Sequence, residues 1–392
     1  MAVAPPERSP RLAPSARPEV ESLQAYSAPL EGRRELLRLD FNENTLGPSP
    51  KVVEAIRAIP ADHYAIYPEY DGLRQAVVAG LGSSGQRLDP SQIGLFNGVD
   101  AALHAIFHAF GRPGDRLLTT TPTFGYYAPC ARMQGMAIEA IPYRLPCFSF
   151  PLEEIHSALI AAGDQGPPAA PRLLLICNPN NPTGTRLAPA RLLELAEAAP
   201  HTLVVVDELY EAFSGDSVLP LLEERAAAGE WPDSFSRHPN LLVLRSLSKT
   251  AGLAGLRIGF AIGHRTVVDR LARVGGPYDV NSFAVRAAIA ALGDQAYVEA
   301  YVEAVIEAKE WLSGAMARAG VRHHVDGGNY LLIWPATPVL EMDQRLREAG
   351  ILVRSMAGKP LIDGSMRVSI GTRDQMERFW EAFQAIEAGL TP

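Results

Sequence analysis

The chain has little sulfur, no long stretch of a single charge and no apolar run long enough to cross a bilayer. Its 392 residues include three cysteines, Cys130, Cys147 and Cys177, widely spaced and odd in number. Such a set builds neither a disulfide framework nor a zinc site and fits a reducing compartment. Net charge is −8, with 36 basic and 44 acidic side chains and no concentrated basic run. That balance argues against a nucleic-acid surface. The opening MAVAPPERSPRLAPSARPEV lacks the apolar core of a secretion signal, and Glu7 and Glu19 dilute its arginines. Residues 1–20 therefore read as a flexible tail. Nucleotide signatures are missing too. Gly252, Gly255 and Gly259 do not make G-x-G-x-x-G, and there is no G-x-x-x-x-G-K-[ST]. His104 and His108 have a metal-ligand spacing, but without H-E-x-x-H they read as core or surface histidines. The expectation is a cytoplasmic protein without metal, membrane or nucleic-acid partner.

What is present is enough apolar residue, 47%, to bury a large core. Buried strands are read in DRLLTTTPTF, RLLLIC (172–177), TLVVVDELY (202–210), NLLVLRSLS and LRIGFAIG, where apolar residues run on consecutively. Helical patterns alternate with them, as in DAALHAIFHAFG (100–111), with Asp100 as N-cap and Gly111 at its end, and APARLLELAEAAP (188–200). Alternation of this kind predicts an α/β fold around a mostly parallel sheet flanked by helices. Past residue 277 the texture changes to a long helical stretch, 280–320, followed by the short strands GNYLLIWP, GILVRSM and SMRVSIGT. The expected division is a tail at 1–20, an arm at 21–50 packing with the small domain, a large domain at 51–277, and an interdomain helix with a smaller α+β domain at 278–392. GDQGPPAAPR (163–172) reads as a loop.

Ligands of open α/β sheets sit beyond the carboxyl ends of strands. Three strand ends here lead into NPNNPTG (178–184), into Asp207 with Tyr210 three residues on, and into RSLSKTAGLAGLRIGFAIG. The last holds Lys249 and Arg257 among small and apolar residues. Taken singly, these are turn formers, a cap and a solvated amine. Together they offer an amine, a carboxylate, a phenol and an amide, a set that pyridoxal phosphate chemistry requires of one site.

From about Leu23 to its end the chain resembles the fold-type I pyridoxal-phosphate aminotransferases, and among them most closely the histidinol-phosphate aminotransferase family. The motifs NPNNPTG, VDELY, SLSK with arginine eight residues later, and MRVSIGT recur in order. The resemblance implies pyridoxal 5'-phosphate as cofactor, with Lys249 as the Schiff-base lysine and proton shuttle. Asp207 would partner the pyridine nitrogen, Asn181 and Tyr210 would donate to the ring's phenolate oxygen, and Phe124 would stack on the ring. Ser246, Ser248, Arg257 and the helix start at Gly98, Val99 and Asp100 would cradle the phosphate, as helix N-termini and arginines do. The small residues of AGLAG would let backbone approach closely. Tyr67 would reach the cofactor phosphate of the neighbouring subunit of a homodimer, and Tyr278 would likewise serve the neighbouring site. Arg367, Arg354, Tyr26, Tyr278 and Asn44 would face the substrate.

The implied activity is ping-pong transamination of histidinol phosphate with 2-oxoglutarate. The residues leave open an aromatic amino-acid aminotransferase, a threonine-phosphate decarboxylase-like enzyme and a catalytically silent binding protein. Two departures from the family pattern, NENT for NENP and Ala101 after Asp100, bear on the substrate more than on the reaction.

Overall fold

A computed structural model of the chain describes residues 14–25, 30–163, 169–229 and 231–390. Tyr26, most of the expected tail and residues 164–168 of the expected loop lie outside the described residues. The larger sheet has seven strands in the order Ile93–Phe96, Gly259–Gly263, Leu241–Ser246, Leu203–Asp207, Leu173–Cys177, Arg116–Thr121 and Ala137–Pro142. Only Gly259–Gly263 runs antiparallel to its neighbours; the other pairings are parallel. The central strands LLLIC and LVVVD are buried at every position, as a sheet covered on both faces demands. Alternate side chains divide between two cores. Leu174, Ile176, Val204, Val206 and Val243 enter one. Leu173, Leu175, Val205, Leu242 and Leu244 enter the other, beneath helix Gly98–Phe110.

That helix departs from the expected start. Its N-cap is Asn97, and Asp100 lies in the first turn. The Asp100 carboxylate is taken by Arg257, whose Nη2 donates to Oδ2 at 2.8 Å. Helix Ser282–Leu292, which follows the change of texture at 277, packs its alanine- and valine-rich face on Pro50–Arg57 and Asp71–Gly80 and shares the large domain's core. Helix Gln295–Arg318 then leads to a four-stranded antiparallel sheet, ordered Arg354–Ser355, Met366–Ser369, Tyr330–Trp334, Arg322–His324. Leu312, Met316, Phe379 and Phe383 form its core with Leu331 and Val368.

The arm joins the two parts. Leu37–Arg38 pairs in parallel with Ile351–Leu352, and the Ser369 amide donates to the Leu39 carbonyl at 2.9 Å. Past this point residues 40–44 cross the carboxyl rim of the large sheet. Gly252 permits the crossing: a Cβ there would lie 2.4 Å from the Gly47 backbone, at a φ of +73° that also favours glycine. The small residues of AGLAG thus admit the arm at Gly252, whereas a Cβ at Gly255 would meet nothing within 4 Å. Among the described residues no helix is long and apolar enough to cross a membrane.

Candidate active site

Three loops leaving adjacent parallel strands converge on the arm. Asp207 closes Leu203–Asp207 and is 2% exposed. Its Oδ2 accepts a 2.5 Å hydrogen bond from Tyr127 Oη, and its Oδ1 accepts the Leu209 amide at 3.3 Å. Burial raises its pKa to about 6, against the lowering effect of the tyrosine's donation. From the loop after Leu173–Cys177, Asn181 Nδ2 donates to Tyr210 Oη at 3.1 Å. Burial also pushes the Tyr210 phenol above its ordinary value.

Lys249 follows Leu241–Ser246 and donates from Nζ to the Phe41 carbonyl at 2.9 Å. Desolvation, then the positive charge of Arg367, lower its pKa to about 8. An ordinary lysine holds a negligible fraction of neutral amine at neutral pH; here the fraction is on the order of a tenth. That is the property a nucleophilic amine needs.

Behind Lys249, Ser246 Oγ bonds to Ser248 Oγ at 2.8 Å and to the Ile258 carbonyl at 3.0 Å. Arg257 adopts a left-handed φ of +57° and aims its guanidinium at the start of helix Gly98–Phe110. A Cβ on Gly98 would lie 2.4 Å from Arg257 Nη2, and one on Gly259 would lie 2.7 Å from the Gly98 carbonyl carbon and the Val99 nitrogen. Glycine at both positions lets arginine, strand and helix start meet. With Val99 and the two serines, this set of donors could hold a phosphate dianion. Phe124, partly buried, stands edge-on to Tyr127 at 5.4 Å and 80°.

The small sheet contributes arginines. Arg367 and Arg354 sit directly opposite each other on antiparallel strands. Arg367 is 8% exposed; its Nη1 donates to Asn181 Oδ1 at 2.6 Å, Nη2 to the Asp40 carbonyl, and Nε is buried without a partner. Arg354, half-buried, has its guanidinium 5.9 Å from the Phe41 ring centre and makes no ion pair among the described residues. Asn44 is tied to the arm and the lysine loop: Nδ2 donates to the Thr250 carbonyl at 2.7 Å, and Oδ1 accepts the amides of Leu46 and Gly47. Tyr67 and Tyr278 are not brought to Lys249 in this chain. They stack on each other at 3.9 Å and 12°, 69% and 53% exposed. Tyr26 is outside the described residues. His104 bonds through Nε2 to Tyr126 Oη at 2.7 Å, and no group of three or more possible metal ligands occurs among the described residues.

Sequence reasoning missed two residues. Asn42 is 1% exposed with φ +56°, a left-handed conformation that asparagine tolerates. Its Nδ2 donates to Tyr210 Oη at 3.0 Å, its amide donates to Ser369 Oγ, and its carbonyl accepts from Asn329. The paired asparagines of NEN's neighbourhood were its only local signal. Tyr127, the donor to Asp207, had none beyond its place in PTFGYY. A separate cleft of about 780 Å³ beside edge strand Ile93–Phe96 contains none of these residues.

An amine of lowered basicity, a buried carboxylate on the next strand and a donor-lined cradle suit pyridoxal 5'-phosphate: aldehyde, ring nitrogen and phosphate each have a fitting group. Comparison with known proteins falls on the same ground. The profile of the class I and II aminotransferases matches residues 34–383, and the chain belongs to that family. Among curated relatives, the histidinol-phosphate aminotransferase of Roseiflexus castenholzii is 33% identical, over 94% of this chain and 97% of its own. The crystal structure of histidinol-phosphate aminotransferase from Sinorhizobium meliloti in complex with pyridoxal-5'-phosphate is similar with a TM-score of 0.80 and 25% identity, covering 95% of this chain and 98% of that one. The L-threonine-O-3-phosphate decarboxylase of Porphyromonas gingivalis shares the fold, with a TM-score of 0.72 and 24% identity over 90% of this chain and 99% of that one.

Proposed function

We propose that the protein is a cytoplasmic, homodimeric, pyridoxal-phosphate-dependent aminotransferase that moves the amino group of histidinol phosphate to 2-oxoglutarate by a ping-pong cycle. The observation that carries the substrate reading is the cross-strand pair Arg354 and Arg367. Both approach residues 40–41, the segment whose Phe41 carbonyl receives Lys249. Two guanidiniums beside this segment suit amines and acceptors bearing phosphate or a second carboxylate. The relatives' names supply the identity of that amine.

Bound pyridoxal phosphate supplies an aldehyde for amines and a ring that accepts charge from the substrate's α-carbon. The chain's residues do the rest. Lys249 Nζ, neutral in part at pH 7, would be the amine that holds the aldehyde and, when free, the base that carries the proton of the substrate's α-carbon. Asp207 keeps the ring nitrogen protonated. Asn181 and Tyr210 would hold the ring's oxygen, and Phe124 would pack against the ring. Ser246, Ser248, Arg257 and the amides at Gly98, Val99 and Asp100 bind the phosphate. Arg367 binds a carboxylate or phosphate of the substrate, and Arg354 adds a second positive charge.

The exposed stack of Tyr67 on Tyr278 supports the dimer. With exposed Tyr64 and Ile66, and with Phe283 stacked on Tyr64, it gives this face an exposed aromatic surface. In the dimer both tyrosines would serve the neighbouring site. The test is a set of half-reactions of the loaded enzyme with histidinol phosphate, phenylalanine, tyrosine, glutamate and threonine phosphate. Histidinol phosphate is expected to give the highest kcat/KM. Faster conversion of phenylalanine or tyrosine, or carbon dioxide release from threonine phosphate, would refute the substrate assignment.

A further inference from the structure

We propose that Tyr127 is a positioning residue, holding Asp207 ionised and correctly turned for the cofactor's ring nitrogen. This rests on the pyridoxal-phosphate reading above. A carboxylate at the end of a fully buried strand loses its hydration, and unless something replaces it the group takes up a proton and can no longer pair with a pyridinium. Asp207 is surrounded unevenly. Its register partners on the flanking strands are Cys177 and Leu244, neither of which brings a charge. Asp100, from the helix, opposes ionisation, and Lys249, from the next strand end, favours it. Tyr210, three residues on, is buried and keeps its proton. The direct side-chain donor is Tyr127, at 2.5 Å.

The direction of that bond is fixed by burial. Tyr127 is 1% exposed, and desolvation followed by the nearby Asp207 charge raises its pKa well above the ordinary phenol range. The phenol therefore stays protonated at any working pH and always donates. The same ring supports Phe124 edge-on, so one residue braces both the group expected against the ring face and the group expected at its nitrogen. Tyr127 touches neither substrate nor cofactor in this role; it acts through its neighbours.

Tyr127→Phe keeps the ring and removes only the donor. Two titrations read the consequence on the full-length chain. In the apoprotein, the infrared carboxylic-acid band of Asp207, identified by its loss in Asp207→Asn, is expected to persist about one pH unit higher in Tyr127→Phe than in the parent. In equilibrium dialysis, the acid limb of pyridoxal-phosphate affinity should move up by the same amount. Binding should be roughly five- to tenfold weaker below pH 6 and little changed at pH 8. An unmoved band and an unmoved limb, as a purely packing tyrosine would give, overturn the inference. Failure of the parent to bind pyridoxal phosphate would instead refute the functional reading, with the infrared titration still deciding the Tyr127–Asp207 coupling. Should Tyr127→Phe not fold, 3-fluorotyrosine at position 127, a stronger donor, is expected to move the band downward; no movement overturns the inference.

Discussion

The rim of the large sheet and the arm that crosses it meet at Lys249 but are built in opposite ways. The rim presents side chains, each placed just after or at the end of a buried strand: Asn181, Asp207, Lys249. The arm presents mostly backbone. Asp40 and Phe41 give carbonyls to Arg367 and Lys249, and the Asn42 carbonyl accepts from Asn329. A side chain on a rigid strand end can carry charge and move protons; a carbonyl can only satisfy a donor and shape the space around it. Rim substitutions should therefore abolish chemistry, and arm substitutions should loosen binding or stability.

The largest expected effect is at the rim. Lys249→Ala should lower transamination on the order of 10⁴-fold, because the mobile proton carrier is gone. Single-turnover absorbance of the substituted protein checks this, and near-parental rates would remove Lys249 from the chemistry. Asp207→Asn keeps the shape and loses the charge. A drop on the order of 10²- to 10³-fold in kcat is expected from steady-state rates. Crossing toward the arm, Arg367→Lys loses the two-pronged geometry. It should cut kcat/KM by roughly 10- to 100-fold, mainly through KM.

On the arm itself, Asn42→Ala removes one of two donors to Tyr210 Oη and the acceptor of the Ser369 hydroxyl, both buried. A stability loss of about 1–3 kcal/mol in urea unfolding is expected, with kcat changed less than in Asp207→Asn. A kcat loss as large as that of Asp207→Asn would dissolve the contrast between rim and arm.

The smallest effect is a pH dependence. Lys309, buried and donating to the carbonyls of Asp326 and Gly328, has its pKa lowered by burial from 10.5 to about 8. Between these values the unfolded chain binds more protons than the folded one, so stability rises with pH across this window. The contribution is complete above 10.5 and lost as pH falls through about 8. Lys309→Met should flatten part of the rise in urea midpoint between pH 7 and 10, Lys249 supplying the remainder. An unchanged slope would show that Lys309 is not the titrating group.

The same contrast governs what can be read from the sequence. The large sheet was legible because its strands are unbroken apolar runs, Asp207 and Lys249 because they stand at or just past strand ends, and Arg257 only through the family resemblance. Asp100 was misread as a cap: capping propensity is local, whereas its carboxylate is claimed by an arginine 157 residues away. Asn42 and Tyr127 left no comparable trace, since their partners Tyr210 and Asp207 lie 168 and 80 residues further on. Arm carbonyls are invisible in principle, because every residue has one. Tyr67 and Tyr278 came from the resemblance; the stack they form could not be read from residues 211 positions apart.

Lowered basicity alone does not single out the reacting amine, because Lys249 and Lys309 are both held near 8. Geometry separates them: Lys249 stands between the Asp207 rim and the paired arginines, whereas Lys309 is bonded to the turn at 326–328. Borohydride trapping of the pyridoxal-phosphate-loaded protein, followed by peptide mass mapping, decides between them. The account predicts the pyridoxyl label on the peptide carrying Lys249 and none on that carrying Lys309. Label on Lys309, or none on Lys249, would contradict it.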